Sequence, residues 1–228
     1  MTPLAVVDYG ASNIKSIVRG LERAGATVTV ARAPEELAGA AGLVLPGVGA
    51  AGAAMRGLRE RGLVRPLTEA IEGGAPFLGV CLGMQLLFGP QEEDDETGLA
   101  LIGGRVRRLR GVKVPHMGWN TVDITPPPRD QAPLDSGPLA GLPPAPYLYF
   151  VHSYYIELDP GERGVDTATT SYGADFVSVV ARDNVWGTQF HPEKSGATGE
   201  TVLRNFVARC ARVAGSGAAD VAGLEAAS

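Results

Sequence analysis

Residues 76–87, Pro-Phe-Leu-Gly-Val-Cys-Leu-Gly-Met-Gln-Leu-Leu, decide the fold of this chain. A short apolar run stops at Cys81, and a run with helical spacing follows at once. Gly79 and Gly83 stand two residues before and after the cysteine, where glycines relieve crowding in a sharp turn between strand and helix. We interpret the stretch as strand, turn and helix, with Cys81 exposed at the turn. The helix N-terminus would favour a nucleophilic thiolate there, whereas the alternative is an inert buried cysteine.

Upstream of this stretch, short apolar segments alternate with helical ones. We expect strands at residues 4–8, 27–31 and 42–46, and helices from residue 14 and across residues 51–73, the second broken at Pro66. Apolar strands that alternate with helices predict a parallel sheet covered on both faces. Ligands gather at the carboxyl ends of such strands. Cys81 and the loop Gly47-Val48-Gly49 both fall at such ends.

The second half of the chain is rich in β-like segments. These cover residues 101–109, 112–115, 122–124, 147–158, 168–171, 177–181 and 185–190. The acidic run 91–97 is interpreted as a solvated loop, and the proline-rich residues 126–146 as an irregular surface loop. We therefore predict an α/β fold with a mostly parallel central sheet flanked by helices and additional antiparallel strands in the second half. One domain would span residues 1–213, followed by a flexible tail over residues 214–228.

The composition is that of an ordinary globular protein. Of the 228 residues, 45% are hydrophobic and 20% charged, and the net charge of −5 argues against nucleic acid or an anionic membrane surface as a partner. With no leader and no long apolar run, we expect a cytoplasmic protein. The two cysteines form neither a disulfide framework nor a zinc quartet. Cys210 shares a helical stripe with Leu203, Phe206 and Val207 and is expected in the core.

The glycine loop after the third strand permits two interpretations. Residues 47–52 match the Gly-x-Gly-x-x-Gly pattern of dinucleotide-binding proteins, in the expected context of a strand and a helix. The acidic residue that should follow at the end of the next strand is absent, because that strand ends in Gly79-Val80-Cys81. We expect instead that the loop brings backbone N–H groups close to a reacting atom beside Cys81.

A base for Cys81 has few candidates, because the chain contains only His116, His152 and His191. His191 is the best placed, since it follows a β-like run at what would be a strand end. Glu193 stands two residues further on, where its carboxylate can approach the imidazole. A nucleophile, a base and an orienting acid are thus all available.

Taken together, these motifs resemble the class I, or triad, glutamine amidotransferases. The segments that carry the resemblance are Gly79-Val80-Cys81-Leu82-Gly83-Met84-Gln85 and Gln189-Phe190-His191-Pro192-Glu193. Further segments are similar to the glutaminase subunits of imidazole glycerol phosphate synthase, of histidine biosynthesis: residues 8–13, 46–49, 115–120, 150–155 and 191–196. The resemblance spans residues 4–210.

The resemblance implies a reaction and a set of site residues. Cys81 would attack the side-chain amide carbon of glutamine, His191 would pass a proton to the departing ammonia, and Glu193 would orient the imidazole. The oxyanion donors would be backbone N–H groups of Val48 or Gly49 and of Leu82. Glutamine would be held by Gly49, Gln85, Ser153 and Tyr154.

The resemblance also implies a partner. Family members pass ammonia to a separate (β/α)8-barrel cyclase subunit in a heterodimer, and this chain is too short to contain that barrel as well. Four residues fall in motifs that similarity places near that interface: Asn13, Trp119, Tyr149 and Lys194. No cofactor and no metal are expected.

Three other interpretations stay open. The chain could be the glutaminase of another pathway, such as anthranilate or aminodeoxychorismate synthesis, or a related cysteine hydrolase. It could also be a catalytically inactive member kept as a binding or regulatory subunit. The synthase that co-purifies would distinguish the pathways, and labelling by a glutamine-like electrophile would identify an active cysteine.

Overall fold

The computed structural model describes residues 1–10, 14–124 and 137–225, with side chains up to residue 215. The helices are α1 Ile14–Arg23, α2 Ala51–Glu60, α3 Val64–Glu72, α4 Leu82–Gln85 and α5 Gly196–Glu225, with short 3-10 helices over Pro34–Leu37 and Pro192–Lys194. The strands are β1 Thr2–Val7, β2 Ala26–Ala31, β3 Gly42–Gly47, β4 Phe77–Cys81, β5 Pro90–Gln91, β6 Glu96–Thr97, β7 Gly104–Arg108, β8 His116–Thr121, β9 Tyr147–His152, β10 Tyr154–Leu158, β11 Asp166–Tyr172, β12 Ala174–Arg182 and β13 Val185–Thr188.

Eleven of the described strands form one sheet in the order β2-β1-β3-β4-β13-β12-β10-β7-β5-β6, with β11 paired to β12. The first five strands in this order, β2, β1, β3, β4 and β13, are parallel to one another. β12 then pairs antiparallel with β13. β8 and β9 form a separate antiparallel ribbon. The mostly parallel sheet with antiparallel strands in the second half confirms the predicted fold class.

The parallel strands are apolar throughout because both faces of the sheet are covered. In β1, Leu4 and Val6 pack with the core residues of α1 and α5, whereas Ala5 and Val7 pack with those of α2 and α3. The stripe of α5 that ends in Cys210 is buried, as expected. This two-sided burial leaves the carboxyl ends of the strands as the accessible edge of the sheet.

Several local predictions need correction. The helix over residues 51–73 is broken at residues 61–63, where Gly62 has a φ of 65°, and not at Pro66. Pro66 lies in the first turn of α3, where the missing N–H is no loss because that turn has no intrahelical acceptor for it. Residues 112–115 form no strand, and residues 122–124 contribute only a single bridge from Asp123 to Thr169.

The acidic run has a structural role that its sequence did not indicate. The carboxylate of Glu93 accepts the N–H of Ala51 at 3.1 Å, and that of Asp94 accepts the N–H of Gly52 at 3.0 Å. These are the first N–H groups of α2, which has no side-chain cap of its own. The loop therefore caps α2 from outside the helix, where carboxylates interact favourably with the helix dipole.

Two predictions of domain organisation stay predictions. Residues 125–136, which include residues 126–136 of the proline-rich loop, lie outside the described residues. α5 continues to Glu225, and the expected boundary at residue 213 falls within it. The effect of the C-terminal residues on stability is left to experiment.

Candidate active site

Cys81 lies at a strained turn where β4 meets α4. Its φ of 54° and ψ of −108° are rare for a residue with a side chain. A Cβ on Gly83 would lie 1.7 Å from the carbonyl oxygen of Leu45, and one on Gly79 would lie 2.5 Å from that of Gly83. Gly79 and Gly83 are therefore both required, because another segment of backbone lies too close to each for a side chain to fit, as the sequence predicted.

The cysteine is less accessible than expected. It is 5% exposed, and α4 has only four residues, so the helix dipole has little length behind it. Cys81 nevertheless lines a cavity of about 180 Å³, together with other residues named from the sequence: Val48, Gly49, Leu82, Gln85, Ser153 and Tyr154. All the predicted oxyanion and substrate residues thus border one cavity with the predicted nucleophile.

His191 and Glu193 lie buried beside this cavity. Nδ1 of His191 and Oε1 of Glu193 are 2.9 Å apart, and both side chains are almost fully enclosed. The two residues are not strand neighbours, as the sequence reasoning assumed, because β13 ends at Thr188 and Glu193 lies in a 3-10 helix. The proline after His191 starts that helix, and the tight turn brings the carboxylate back to the imidazole.

The electrostatics of this group favour a charged imidazole. Burial lowers the pKa of His191, but the neighbouring Cys81 and Glu193 outweigh burial and raise it to about 10. Nε2 of His191 is buried and has no conventional hydrogen-bond partner among the described residues. That atom is available for a proton in transit between the sulfur and a substrate.

The second cysteine lies in the core and lines no part of the cavity at Cys81. Cys210 is fully buried in the core, and burial raises the pKa of its thiol to about 12. A thiol that stays protonated is a poor nucleophile. Cys210 is therefore a matched control for chemistry at Cys81.

Tyr9 supports the glycine loop and was not identified from the sequence. A Cβ on Gly47 would lie 2.6 Å from the Tyr9 hydroxyl and 2.7 Å from Cβ of Leu82. Burial, followed by the charges of Cys81 and Asp8, raises the pKa of Tyr9 above its ordinary value. The tyrosine remains protonated beneath the loop that carries Val48 and Gly49.

Two buried amide side chains connect the cavity to the sulfur. Nε2 of Gln85 donates to the carbonyl of Tyr154 at 2.9 Å and to Oε1 of Gln189 at 3.0 Å. Nε2 of Gln189 in turn donates to Sγ of Cys81 at 3.6 Å. The sequence identified Gln189 only as part of a motif. It lies beside the nucleophile because β13 runs parallel to β4 with Thr188 opposite Val80, so that Gln189 follows next to Cys81.

Two of the four residues predicted to face a partner, Trp119 and Tyr149, lie on the ribbon of β8 and β9. Trp119 is 56% exposed and meets Tyr149 edge to face, with ring centroids 6.0 Å apart. Met117 and Tyr147 on the same face are 62% and 63% exposed. Lys194 is also exposed. It lies three residues after His191, whose backbone N–H donates to the Tyr149 carbonyl of the ribbon at 2.9 Å. Asn13 lies outside the described residues.

The described residues contain neither a metal site nor a helix able to span a membrane. In the part of the chain that the structure describes, no group of three or more His, Cys, Asp or Glu residues is arranged to hold a metal ion. None of the described helices has the length and apolar character needed to cross a membrane.

The chain is similar in sequence to named proteins over nearly its whole length. Residues 5–210 match the sequence profile of the family "Glutamine amidotransferase class-I". The imidazole glycerol phosphate synthase subunit HisH of Microcystis aeruginosa is 44% identical over 218 residues, which cover 94% of this chain and 99% of the relative. The HisH subunit of Halobacterium salinarum is 50% identical over 218 residues, covering 91% and 94%.

The fold is also similar to a solved structure. A crystal structure described as a glutamine amidotransferase superposes with a TM-score of 0.71 at 18% identity, over 91% of this chain and 98% of the other. At that identity the likeness concerns the fold alone.

Proposed function

Because the chain belongs to the class I glutamine amidotransferases, we propose that it serves as the glutaminase subunit of imidazole glycerol phosphate synthase, of histidine biosynthesis. It hydrolyses glutamine to glutamate and ammonia, and the ammonia goes to the synthase reaction. The observation that carries the proposal is the cavity beside Cys81, which is bordered by Gln85 and the glycine loop. Relatives named HisH that cover almost the whole chain support the choice of this synthase over the glutaminases of other pathways.

In the proposed mechanism, Cys81 enters as a thiolate paired with the His191 imidazolium. The sulfur attacks the side-chain amide carbon of glutamine and forms a tetrahedral intermediate. His191 then gives its proton to the amide nitrogen, ammonia leaves, and a thioester remains. Water attacks the thioester, its proton passes to His191, and glutamate is released as Cys81 is regenerated.

The oxyanion of each intermediate needs donors beside the sulfur. The backbone N–H groups of Leu82, at the turn, and of Val48 or Gly49, in the glycine loop, are proposed for this role. They border the cavity together with Cys81, Leu82 at the start of α4 and Val48 and Gly49 directly after β3. The loss of one such donor raises the barrier by roughly 3 kcal/mol.

Glutamine recognition is assigned to the remaining residues of the cavity. Both N–H groups of the Gln85 amide are engaged by Tyr154 and Gln189, so its oxygen is the atom left for substrate. Gly49 and the backbone of Ser153 and Tyr154 complete the proposed contacts. A cavity of about 180 Å³ is of a size for a small amino acid.

The partner is proposed to be a (β/α)8-barrel cyclase subunit, which receives the ammonia in a heterodimer. It makes imidazole glycerol phosphate and an aminoimidazole carboxamide ribotide. The support on this chain is the exposed apolar face of the ribbon, with Met117, Trp119 and Tyr147, next to Lys194. Exposed aromatic clusters of this kind are typical of protein interfaces. As a biosynthetic enzyme of this type, the heterodimer is placed in the cytoplasm.

The proposal is tested by labelling the nucleophile. The chain, co-expressed with its barrel partner, is treated with a diazoketone analogue of glutamine, and its mass is measured by intact-protein mass spectrometry. One adduct is expected on the wild type and on Cys210→Ala, and none on Cys81→Ala. Glutamate release is assayed on the same samples. An adduct on the Cys81→Ala chain, or an active wild type with an unlabelled Cys81, would contradict the assignment.

A further inference from the structure

Two histidines beside the cavity have no role in the proposed reaction. His116 and His152 are both buried, and Nδ1 of His116 lies 2.9 Å from Nε2 of His152. Buried polar atoms are costly unless they are hydrogen-bonded. The partners of these four ring nitrogens therefore determine what the pair can do.

Asn120 fixes the direction of the hydrogen bonds at one end of the pair. Its Oδ1 accepts the N–H of Thr121 at 2.8 Å, and its Nδ2 donates to the carbonyl of Ser171 at 3.0 Å. The remaining N–H of that amide faces Nε2 of His116, 3.3 Å away. Nε2 of His116 is therefore an acceptor without a proton, and the ring carries its proton on Nδ1.

The carbonyl of Tyr154 fixes the other end. It can only accept, and it does so from Nδ1 of His152 at 2.8 Å and from Gln85 at 2.9 Å. Nε2 of His152 is then left to accept the proton of Nδ1 of His116. Both rings are thus neutral with the proton on Nδ1. Burial lowers the pKa of both, that of His152 to about 3, which agrees with neutral rings.

The same chain of hydrogen bonds continues to the nucleophile. Gln85 donates its second N–H to Gln189, and Gln189 donates to Sγ of Cys81. Because Gln85 and Gln189 present amide N–H groups at these contacts, the direction of every bond from Asn120 to the sulfur is determined. This series of hydrogen bonds begins on the inner face of β8, opposite the exposed face that carries Trp119.

We propose that His116 and His152 are positioning residues for glutamine hydrolysis, which hold the Tyr154 carbonyl and, through Gln85 and Gln189, the sulfur of Cys81. The proposal rests on the glutaminase function proposed above. Neither imidazole transfers a proton to substrate. They fix the positions of the Tyr154 carbonyl, in one wall of the cavity, and of the Gln189 amide that donates to the sulfur. Small displacements of such groups slow a reaction.

The surroundings of His116 allow a specific test. Its ring is stacked with Tyr172 at a centroid distance of 4.0 Å and with Phe150 at 5.0 Å. His116→Phe keeps an aromatic ring in that stack and removes both hydrogen bonds. His116→Asn keeps an N–H near the position of Nδ1 and so can still donate to His152.

Steady-state kinetics of the assembled complex distinguish positioning from a merely structural role. For His116→Phe and His152→Phe we expect a raised KM for glutamine and a kcat/KM lowered about 3- to 30-fold, the effect of one or two lost hydrogen bonds. Synthesis from added ammonium salt should be unchanged, and His116→Asn should recover most of the loss. Thr68→Val, which removes a partly buried hydrogen bond of 2.9 Å to the Val64 carbonyl within α3, outside this hydrogen-bond network, should lower stability only.

The protonation states can be read independently by ¹⁵N spectra of the imidazoles, because the chain has only three histidines. The wild type should show two neutral rings with the proton on Nδ1. An imidazolium or a proton on Nε2 at His116 or His152 would overturn the inference, and so would phenylalanine variants with wild-type kinetics. A wild-type complex that does not hydrolyse glutamine would instead overturn the proposed function, and this inference with it.

Discussion

At the scale of single residues, the charge state of His191 determines whether the proposed reaction can begin. Burial alone would leave this imidazole neutral, but Cys81 and Glu193 raise its pKa to about 10. The imidazolium therefore persists through neutral pH, and this is the form that can protonate departing ammonia. The carboxylate at 2.9 Å from Nδ1 is the part of this arrangement that a substitution can remove without touching the sulfur.

We expect Glu193→Gln to move the alkaline limb of the kcat/KM profile for glutamine to lower pH. The carboxylate helps to raise the pKa of His191, so without it the imidazolium loses its proton before the wild-type limb near pH 10. The profile is measured on the assembled complex from about pH 6 to about pH 11. Glu157→Gln, which removes a partly exposed carboxylate paired with Arg105 and Arg107, is the matched control. An alkaline limb that stays in place would contradict the role of Glu193.

The site residues could be predicted where their signal was local. Cys81 between two glycines and Glu193 two residues after His191 are readable because a turn and a short segment bring them together. The pairing of His116 with His152 was not predicted, since the two are 36 positions apart and meet only through the register of β8 and β9. Tyr9 and Gln189 were missed for the same reason, because their partners come from other elements.

At the scale of elements, the acidic loop supports the start of α2. This helix begins directly after the glycine loop that borders the cavity, and Glu93 and Asp94 bond its first N–H groups. Arg59 of α2 also pairs with Glu96. The hydrogen bond from Arg59, followed by that from the N–H of Thr97, lowers the pKa of Glu96 to about 2. The loop and the helix are thus joined at both ends.

We expect the double substitution Glu93→Ala with Asp94→Ala to lower the free energy of unfolding by ~2 kcal/mol, about 1 for each lost cap. Glutamine turnover should fall as well, because the glycine loop precedes the uncapped turn. Asp95→Asn is the control, since it removes a charge from the same loop at a φ of 49°, which asparagine tolerates. Chemical denaturation compares the three chains. Equal stability of the double variant and the control would show that the cap contributes nothing.

The ribbon of β8 and β9 is the element proposed to meet the cyclase. Trp119→Ala and Lys194→Ala should weaken binding of the partner, each by about 1 kcal/mol or more, while the melting temperature of the isolated chain stays near that of the wild type. Both side chains are exposed, so they contribute little to the core. Titration calorimetry gives the affinity, with the exposed Arg65→Ala of α3 as control. A loss of stability at unchanged affinity would indicate ordinary packing.

Elements were predictable where apolar periodicity was strong and not where it was absent. β1 to β4 were expected within two residues of their observed bounds, because strands buried on both faces are apolar throughout. β8 gave no such signal, since its inner face carries His116 and Asn120 instead of aliphatic residues. The position of the break between α2 and α3 was decided by Gly62, which the sequence reasoning passed over in favour of Pro66.

At the scale of the whole molecule, the core of α5 ends well before the chain does. Residues 211–215 are exposed after the buried stripe that ends at Cys210. We expect removal of residues 215–228 to shift the melting temperature by less than about 2 °C, equivalent to under ~1 kcal/mol, and to leave glutamine hydrolysis intact. A chain ending at Asn205, which lacks Phe206, Val207 and Cys210, should not fold. Calorimetry of the two truncations checks this, and a large loss in the first would show that the tail packs.

The last prediction separates the two halves of the proposed synthase reaction. If Cys81 forms the thioester, Cys81→Ala abolishes glutamine hydrolysis, because Cys210 lies in the core with a pKa of about 12 and cannot replace it. The complex should still assemble, since the cysteine lies inside its cavity and the exposed residues Met117, Trp119 and Tyr147 are unchanged. Supplied with ammonium salt at a pH where free ammonia is appreciable, it should make imidazole glycerol phosphate at the wild-type rate, because the cyclase needs only ammonia. His191→Ala should behave in the same way, and Glu193→Ala more mildly, since an orienting acid alone often contributes less than the nucleophile or the base. Loss of both glutamine-dependent and ammonia-dependent synthesis in an assembled complex would mean that Cys81 supports the structure, and glutamine hydrolysis that survives in Cys81→Ala would exclude it as the nucleophile.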